Sequence, residues 1–270
     1  MNSSIFSPYL ARWNLAPDGE PIETHSSHLL PVRRAGVALI LKVAFEKEEK
    51  GGGVLMQWWD GNGAARVFAY DGEALLLERA SGTRSLVAMV QDGHDDEATR
   101  ILCDTIERLH APRSKPLPDL NPLESWFAEL WPMASSQGGL IAEAAAVARW
   151  LLAAQREICP LHGDIHHENV LDFGARGWLA IDPKGLIGDR AFDYANLFCN
   201  PDFASATAVG TVERRLAIVL TQSGLDRTHL LEWIFAWCGL SAAWFIGDDK
   251  APEVATDLAI AERVRALLAA

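Results

Sequence analysis

The chain has 270 residues, 49% of them apolar, so it can bury a substantial core in one domain or in two closely packed lobes. Its formal net charge of -12 argues against nucleic acid, because phosphate backbones are bound by clustered lysine and arginine, and it favours a cationic small-molecule partner. The longest nearly uncharged stretch, Trp233 to Phe245, is shorter than the roughly 20 residues of a membrane span. We expect a buried helix there and no membrane association.

The N-terminus has no basic segment followed by an apolar core, which predicts a cytoplasmic location. The cysteines at 103, 159, 199 and 238 lie far apart, without the paired spacing of a zinc site. We expect them to be reduced thiols. Oligomeric state leaves no signal in the sequence.

Residues 22–90 contain short apolar runs separated by turn signals, a pattern that favours a small sheet with one helix. The runs are Val37 to Leu41, Val54 to Trp58, Ala65 to Tyr70 and Ala74 to Leu77. The helix should begin near Phe45, although the glycines at 51, 52 and 53 oppose it by roughly 1 kcal/mol each.

Longer helical patterns follow, with amphipathic residues from Glu97 to His110 and an alanine-rich stretch from Gly139 to Gln155. Two strand-like runs, Asn169 to Phe173 and Trp178 to Ile181, are separated by four residues that begin and end with glycine. That spacing predicts a β-hairpin. A sheet followed by mainly helical segments indicates an α+β fold.

The strongest chemical signal is a set of four polar residues in this hairpin and the loop before it. In protein kinases a His-x-Asp is followed after four residues by Asn, and a later Asp completes the metal site. His162, Asp164, Asn169 and Asp182 have this order and spacing. A chance grouping of turn-forming Asp and Asn is the alternative, and it requires several coincidences.

Phosphoryl transfer explains these residue types, because the protein mainly positions the reactants and neutralises charge. Asp164 would accept the proton of the attacking hydroxyl, while Asn169 and Asp182 would supply the hard oxygen ligands that Mg²⁺ requires. His162 is better explained as a structural brace. Zinc is a poorer interpretation of the neighbouring histidines, since their spacing does not match H-E-x-x-H.

A kinase also needs a cation on its sheet to contact the α- and β-phosphates of ATP. Lys42 ends the apolar run that begins at Val37 and is the candidate. Glu48 is the preferred partner acid, with Glu46 and Glu49 as alternatives because one helical turn covers all three. Lys184 could pair with a site carboxylate, contact phosphate or point to solvent.

Residues 161–169, 177–188 and 238–244 resemble the aminoglycoside phosphotransferase family, in particular its branch of streptomycin 6-kinases and hydroxyurea kinases. The resemblance implies a two-lobed, protein-kinase-like fold. Residues 1–80 would form the nucleotide-binding lobe, and residues 81–270 the catalytic and substrate-binding lobe. It also implies transfer of the γ-phosphate of ATP to a hydroxyl of an aminoglycoside such as streptomycin.

By the same resemblance, Glu78 and Ala80 would meet adenine through their backbone, and Asp193 would support the catalytic loop. The sequence has no G-x-G-x-x-G, so the turn containing Ser26 and Ser27 would have to cover the phosphates.

Two alternatives stay open: a kinase for hydroxyurea or another small metabolite, and a non-catalytic nucleotide-binding sensor. The complete set of Lys42, Asp164, Asn169 and Asp182 argues against the sensor.

Overall fold

A computed structural model describes residues 5–24, 26–45, 49–248 and 250–270. The N-terminal part is an antiparallel sheet with strand order β1-β3-β4-β6-β5, and β2 pairs with β3. Its strands are β1 (Ala16–Pro17), β2 (Ile22–Glu23), β3 (Ser27–Arg34), β4 (Val37–Ala44), β5 (Val67–Tyr70) and β6 (Ala74–Glu78). Helix α1 (Ser7–Arg12) precedes the sheet, and α2 (Glu49–Trp59) connects β4 to β5.

The rest of the chain is mainly helical, which confirms the predicted α+β fold. Its helices are α3 (Leu86–Gln91), α4 (Asp95–His110), α5 (Leu123–Trp126), α6 (Leu130–Gln137), α7 (Gly139–Ala153), α8 (Phe203–Ala206), α9 (Thr211–Ser223), α10 (Arg227–Gly247) and α11 (Ala251–Leu268). Its short strands are β7 (Asn121–Pro122), β8 (Ile158–Leu161), β9 (Val170–Asp172), β10 (Trp178–Ala180) and β11 (Leu186–Asp189). Strands β9 and β10 form the predicted hairpin.

Alternation along β4 separates the two faces of the sheet. Leu39 and Leu41 are buried in a small core with α1, whereas Ile40 packs against the large core that extends into the helical part. Successive side chains of a strand point to opposite faces, so Lys42 shares the face of Ile40. The lysine therefore lies on the side of the sheet that faces the helical part.

Of the apolar runs that predict a small sheet with one helix, the run from Val54 to Trp58 lies in the helix, α2. Short apolar runs do not distinguish a buried strand from a buried helix, and here Leu55, Met56 and Trp59 are buried in the large core. Residues 46–48, where the sequence predicts the start of this helix, lie outside the described residues.

The glycines of α2 permit an unusually close contact with the segment after Asp182. A Cβ added to Gly52 would lie 1.9 Å from the carbonyl oxygen of Pro183, and one added to Gly185 would lie 2.5 Å from the carbonyl carbon of Gly51. These distances leave no room for a side chain. Packing therefore requires glycine at position 52, although glycine weakens an isolated helix.

Helix α10 is long and apolar enough to cross a membrane by length and composition, but 72% of its most apolar window is buried inside the fold. It packs between α7 and α11. Gly239 permits close approach to α7, since a Cβ there would lie 2.3 Å from that of Ala144. The helix is thus a core helix, as the sequence predicts, while the cytoplasmic location stays a prediction.

Candidate active site

The loop between β8 and β9 carries Asp164, and a buried carboxylate fixes the start of this loop. Asp193 accepts hydrogen bonds from the backbone N–H groups of His162 and Gly163, both at 2.8 Å. The Nε2 atom of His110 lies 2.8 Å from the same carboxylate. Asp193 therefore occupies the supporting position that the family resemblance implies.

His162 ties the catalytic loop to the segment that carries Asp182. Its Nε2–H donates to the carbonyl oxygen of Ile181 at 2.8 Å, and its Nδ1 accepts from the backbone N–H of Asp164 at 3.3 Å. One donating and one accepting nitrogen require a neutral ring. Burial lowers the pKa of His162, which favours that neutral state. The imidazole also stacks on Trp59. The contacts are those of a brace.

The Asp164 carboxylate is held from two sides. Its Oδ1 accepts a hydrogen bond from Asn196 Nδ2 at 3.0 Å, and its Oδ2 lies 3.6 Å from Lys184 Nζ. The side-chain amide of Asn169 donates to the backbone oxygen of Asp164 at 2.8 Å. Of the three alternatives for Lys184, the structure shows the pairing with a site carboxylate.

Asp182 follows β10 with a left-handed backbone (φ 67°), a conformation that Asp tolerates better than most residues. Its carboxylate forms an ion pair with Lys42, which is 6% exposed. The backbone N–H of Ile181 donates to the carbonyl oxygen of Asn169 at 2.9 Å. Lys42 and the motif residues Asp164, Asn169 and Asp182 thus lie around one centre.

The donor set fits Mg²⁺ better than zinc. Because the amide nitrogen of Asn169 is engaged by Asp164, its oxygen is the atom available to a cation, and Asp182 offers a carboxylate. Within the described ranges, no three or more His, Cys, Asp or Glu side chains are grouped as for a metal. Mg²⁺ is commonly held by one or two protein oxygens together with phosphates and water.

The predicted phosphate-covering turn joins β2 to β3. The Ser27 N–H donates to Thr24 Oγ1 at 3.1 Å, and the Ser27 hydroxyl lies 2.9 Å from the same oxygen. The carbonyl oxygen of Ser26 accepts from the N–H of Phe45 at 3.2 Å, which ties the turn to the end of β4. The Ser27 hydroxyl is therefore engaged inside the turn. Its phosphate role, like that of Ser26, stays a prediction, and Glu48 lies outside the described residues.

The predicted adenine-binding segment is attached to the β9–β10 hairpin. The N–H of Glu78 donates to the Arg66 carbonyl at 2.9 Å, so this N–H is not available to adenine. The Glu78 side chain pairs with Arg176, and the N–H of Gly82 donates to the Asp172 carbonyl at 2.9 Å. Ala80 lies between these two attachments, in an irregular segment.

Sequence reasoning missed one contact of the candidate base and left another undecided. Asn196 lies three residues after Asp193, but only the acid was singled out. Lys184 was noticed without an assigned partner. Both contacts depend on tertiary packing, so the spacing of residues alone gave no signal for them.

Comparison with known proteins gives consistent results. The model of the aminoglycoside/hydroxyurea antibiotic resistance kinase family matches residues 12–249. Streptomycin 3''-kinase of Klebsiella pneumoniae is 56% identical, over 96% of this chain and 100% of that protein. Streptomycin 6-kinase of Streptomyces griseus is 33% identical, over 93% and 85%. A solved aminoglycoside phosphotransferase, in a complex with ADP and hygromycin B, shares the fold with a TM-score of 0.71 at 12% identity, over 97% and 98% of the chains.

Proposed function

The chain belongs to the aminoglycoside/hydroxyurea antibiotic resistance kinase family, and we propose that it transfers the γ-phosphate of ATP to the 3''-hydroxyl of streptomycin. The observation that carries this proposal is the 56% identity, over nearly the full length, with a protein named for that reaction. The 33% identical relative is named for the 6-position, which makes the 6-hydroxyl the weaker candidate. A cationic acceptor also suits a chain with a net charge of -12.

In the proposed mechanism, Asp164 accepts the proton of the substrate hydroxyl as that oxygen attacks the γ-phosphorus, whose bond to the bridging oxygen breaks to release ADP. Asn196 and Lys184 contact its two carboxylate oxygens, so the carboxylate is oriented before the substrate arrives. A general base that is positioned in this way typically contributes about 10²–10⁴-fold to the rate.

Lys42, Asn169 and Asp182 would receive the nucleotide phosphates. The ion pair between Lys42 and Asp182 brings the candidate phosphate-binding cation next to the candidate metal-binding acid, where the triphosphate would bind. Mg²⁺, when bound, would neutralise the negative charge of the phosphates. Asn169 and Asp182 would hold it. The hydrogen bonds of His162 to Asp164 and Ile181 connect the loop before Asn169 to the segment that carries Asp182.

The proposal is tested by ADP release from purified protein with ATP and Mg²⁺, against streptomycin, other aminoglycosides, hydroxyurea and small amino alcohols. We expect streptomycin-dependent ADP release, a product carrying one added phosphate by mass, and attachment at the 3''-oxygen by NMR. Attachment at the 6-oxygen would overturn the proposed position. Turnover with hydroxyurea or an amino alcohol alone would replace the substrate. Nucleotide binding without transfer to any acceptor would favour the sensor.

A further inference from the structure

The candidate base is supported by a residue that neither the motif nor the metal site includes. We propose that Asn196 is a positioning residue for Asp164 and keeps the carboxylate aligned with the substrate hydroxyl. This inference rests on the proposed function of Asp164 as the base. Asn196 would act through Asp164 and not by touching substrate.

The orientation of the Asn196 amide is determined by a second asparagine. Asn200 Nδ2 donates to Asn196 Oδ1 at 2.8 Å and to the Asn196 carbonyl oxygen at 3.1 Å. Because the amide oxygen is taken by this donor, the amide nitrogen must face Asp164, to which it donates at 3.0 Å. Asn196 is 6% exposed, so few other conformations are open to it.

A buried arginine anchors the short helical segment Asn196–Cys199 that carries this amide. Arg215 is fully buried and donates to the carbonyl oxygens of Leu197 and Asn200, both at 2.6 Å. The same guanidinium pairs with Asp95, in the first turn of α4, at 2.6 Å. The asparagine pair is thereby fixed to α4 and α9. Bidentate and charge-assisted hydrogen bonds hold their partners in a well-defined geometry.

The two sides of the Asp164 carboxylate are held unequally. The Asn196 bond has normal hydrogen-bond length at 3.0 Å, whereas the Lys184 ammonium lies 3.6 Å away. If the Asn196 amide is removed, Lys184 Nζ at 3.6 Å and Asn169 Nδ2 at 3.5 Å still lie near Oδ2. Near Oδ1 there remains His166 Nε2, at 4.0 Å. The carboxylate should then turn toward Lys184 and away from its aligned position.

The kinetic test compares Asn196→Ala and Asn196→Asp with Asn62→Ala, a control at an exposed asparagine of the loop after α2. Loss of the amide donor should lower kcat for streptomycin phosphorylation about 10–100-fold, since small misplacements of reacting groups are costly. The dissociation constant for ATP, measured without acceptor, should stay near that of the control. The melting temperature of Asn196→Ala should fall by a few degrees, because the amide of Asn200 loses its side-chain acceptor.

Asn196→Asp distinguishes loss of the hydrogen-bond donor from a change in side-chain shape. It keeps the size of the side chain and replaces the donor with a second carboxylate. It should be at least as slow as Asn196→Ala. As the pH is lowered, the Asn196→Asp protein should lose activity at a higher pH than wild type does, because a neighbouring carboxylate disfavours the ionised base. An Asn196→Asp protein with the wild-type rate and pH profile would overturn the proposal. So would a fold-loss of ATP affinity as large as the fold-loss of kcat, because a general disruption of the site would then explain both.

A crystal structure of Asn196→Ala gives a readout that does not depend on activity. We expect the Asp164 carboxylate to be rotated toward Lys184, compared with a wild-type crystal structure. An unmoved carboxylate would overturn the positioning role even if the enzyme proves to be a streptomycin kinase. If wild-type protein phosphorylates no acceptor, the proposed function fails, whereas the rotation still decides whether Asn196 positions Asp164.

Discussion

Replacing Gly52 with alanine should slow phosphoryl transfer far more than it destabilises the fold. The added Cβ would lie 1.9 Å from the Pro183 carbonyl oxygen, directly after Asp182. Non-bonded carbon and oxygen atoms approach to about 3.3 Å, so α2 and this segment must separate by about 1.4 Å. A 1 Å misplacement in an active site can cost about 10²-fold in rate. We therefore expect kcat to fall by about two orders of magnitude.

The effect on stability should be small because two contributions oppose each other. Overpacking costs about 1–3 kcal/mol, while alanine is about 1 kcal/mol better than glycine inside a helix. The net loss should stay below about 2 kcal/mol, which thermal unfolding measures as a shift of a few degrees. Steady-state ADP release with streptomycin gives kcat and the KM for ATP.

Gly51→Ala is the matched control, because it changes the same helix by the same methyl group. Its Cβ would lie 3.4 Å from the Lys184 carbonyl oxygen, an ordinary contact. This variant should keep wild-type kcat and gain slightly in melting temperature. If Gly52→Ala is as active as Gly51→Ala, the close contact does not position Asp182, and our interpretation of the glycine run is wrong.

Two further predictions concern charged side chains. Lys184→Met should lower kcat about 10²-fold with little change in the KM for ATP, because it removes a cation beside the reacting groups. Lys184→Arg keeps the cation and should recover part of the loss, whereas a Lys184→Met protein with wild-type kcat would contradict this role. Burial raises the pKa of Asp257 to about 7, from an ordinary value near 4. The folded protein therefore binds more protons than the unfolded chain in this range, and stability falls as pH rises from about 4 to about 7. Asp257→Asn should raise the melting temperature more at pH 8 than at pH 5, and an equal shift at both would refute the assignment.

The parts of the fold that local sequence specifies were predicted well. The β9–β10 hairpin follows from two short apolar runs around glycines, and α4 and α7 follow from helical periodicity. The order of His162, Asp164, Asn169 and Asp182 reflects one loop and one hairpin, so their proximity could also be expected.

Features that depend on distant partners could not be derived in this way. Lys42 meets Asp182 across 140 positions in the chain. That pairing was not predicted from the sequence, where Glu48 was the preferred partner of Lys42. The glycines of α2 looked unfavourable because helix propensity describes an isolated helix. The reason for glycine at position 52 is the Pro183 carbonyl, a neighbour that only the tertiary structure shows. Asn196 was overlooked for the same reason. Its partner Asp164 lies 32 residues earlier, and Arg215, a further distant residue, anchors the segment that carries the amide.

Whether Asp164 is the general base is tested by single-turnover rates of phosphate transfer from Mg²⁺-ATP to streptomycin, measured for wild-type protein, Asp164→Asn and Asp119→Asn. Asp119 is an exposed acid in the segment before β7 and serves as the control. We predict that Asp164→Asn binds ATP with wild-type affinity and transfers phosphate at least about 10²-fold more slowly, while Asp119→Asn matches wild type. Transfer by Asp164→Asn at the wild-type rate would show that a group other than Asp164 is the base.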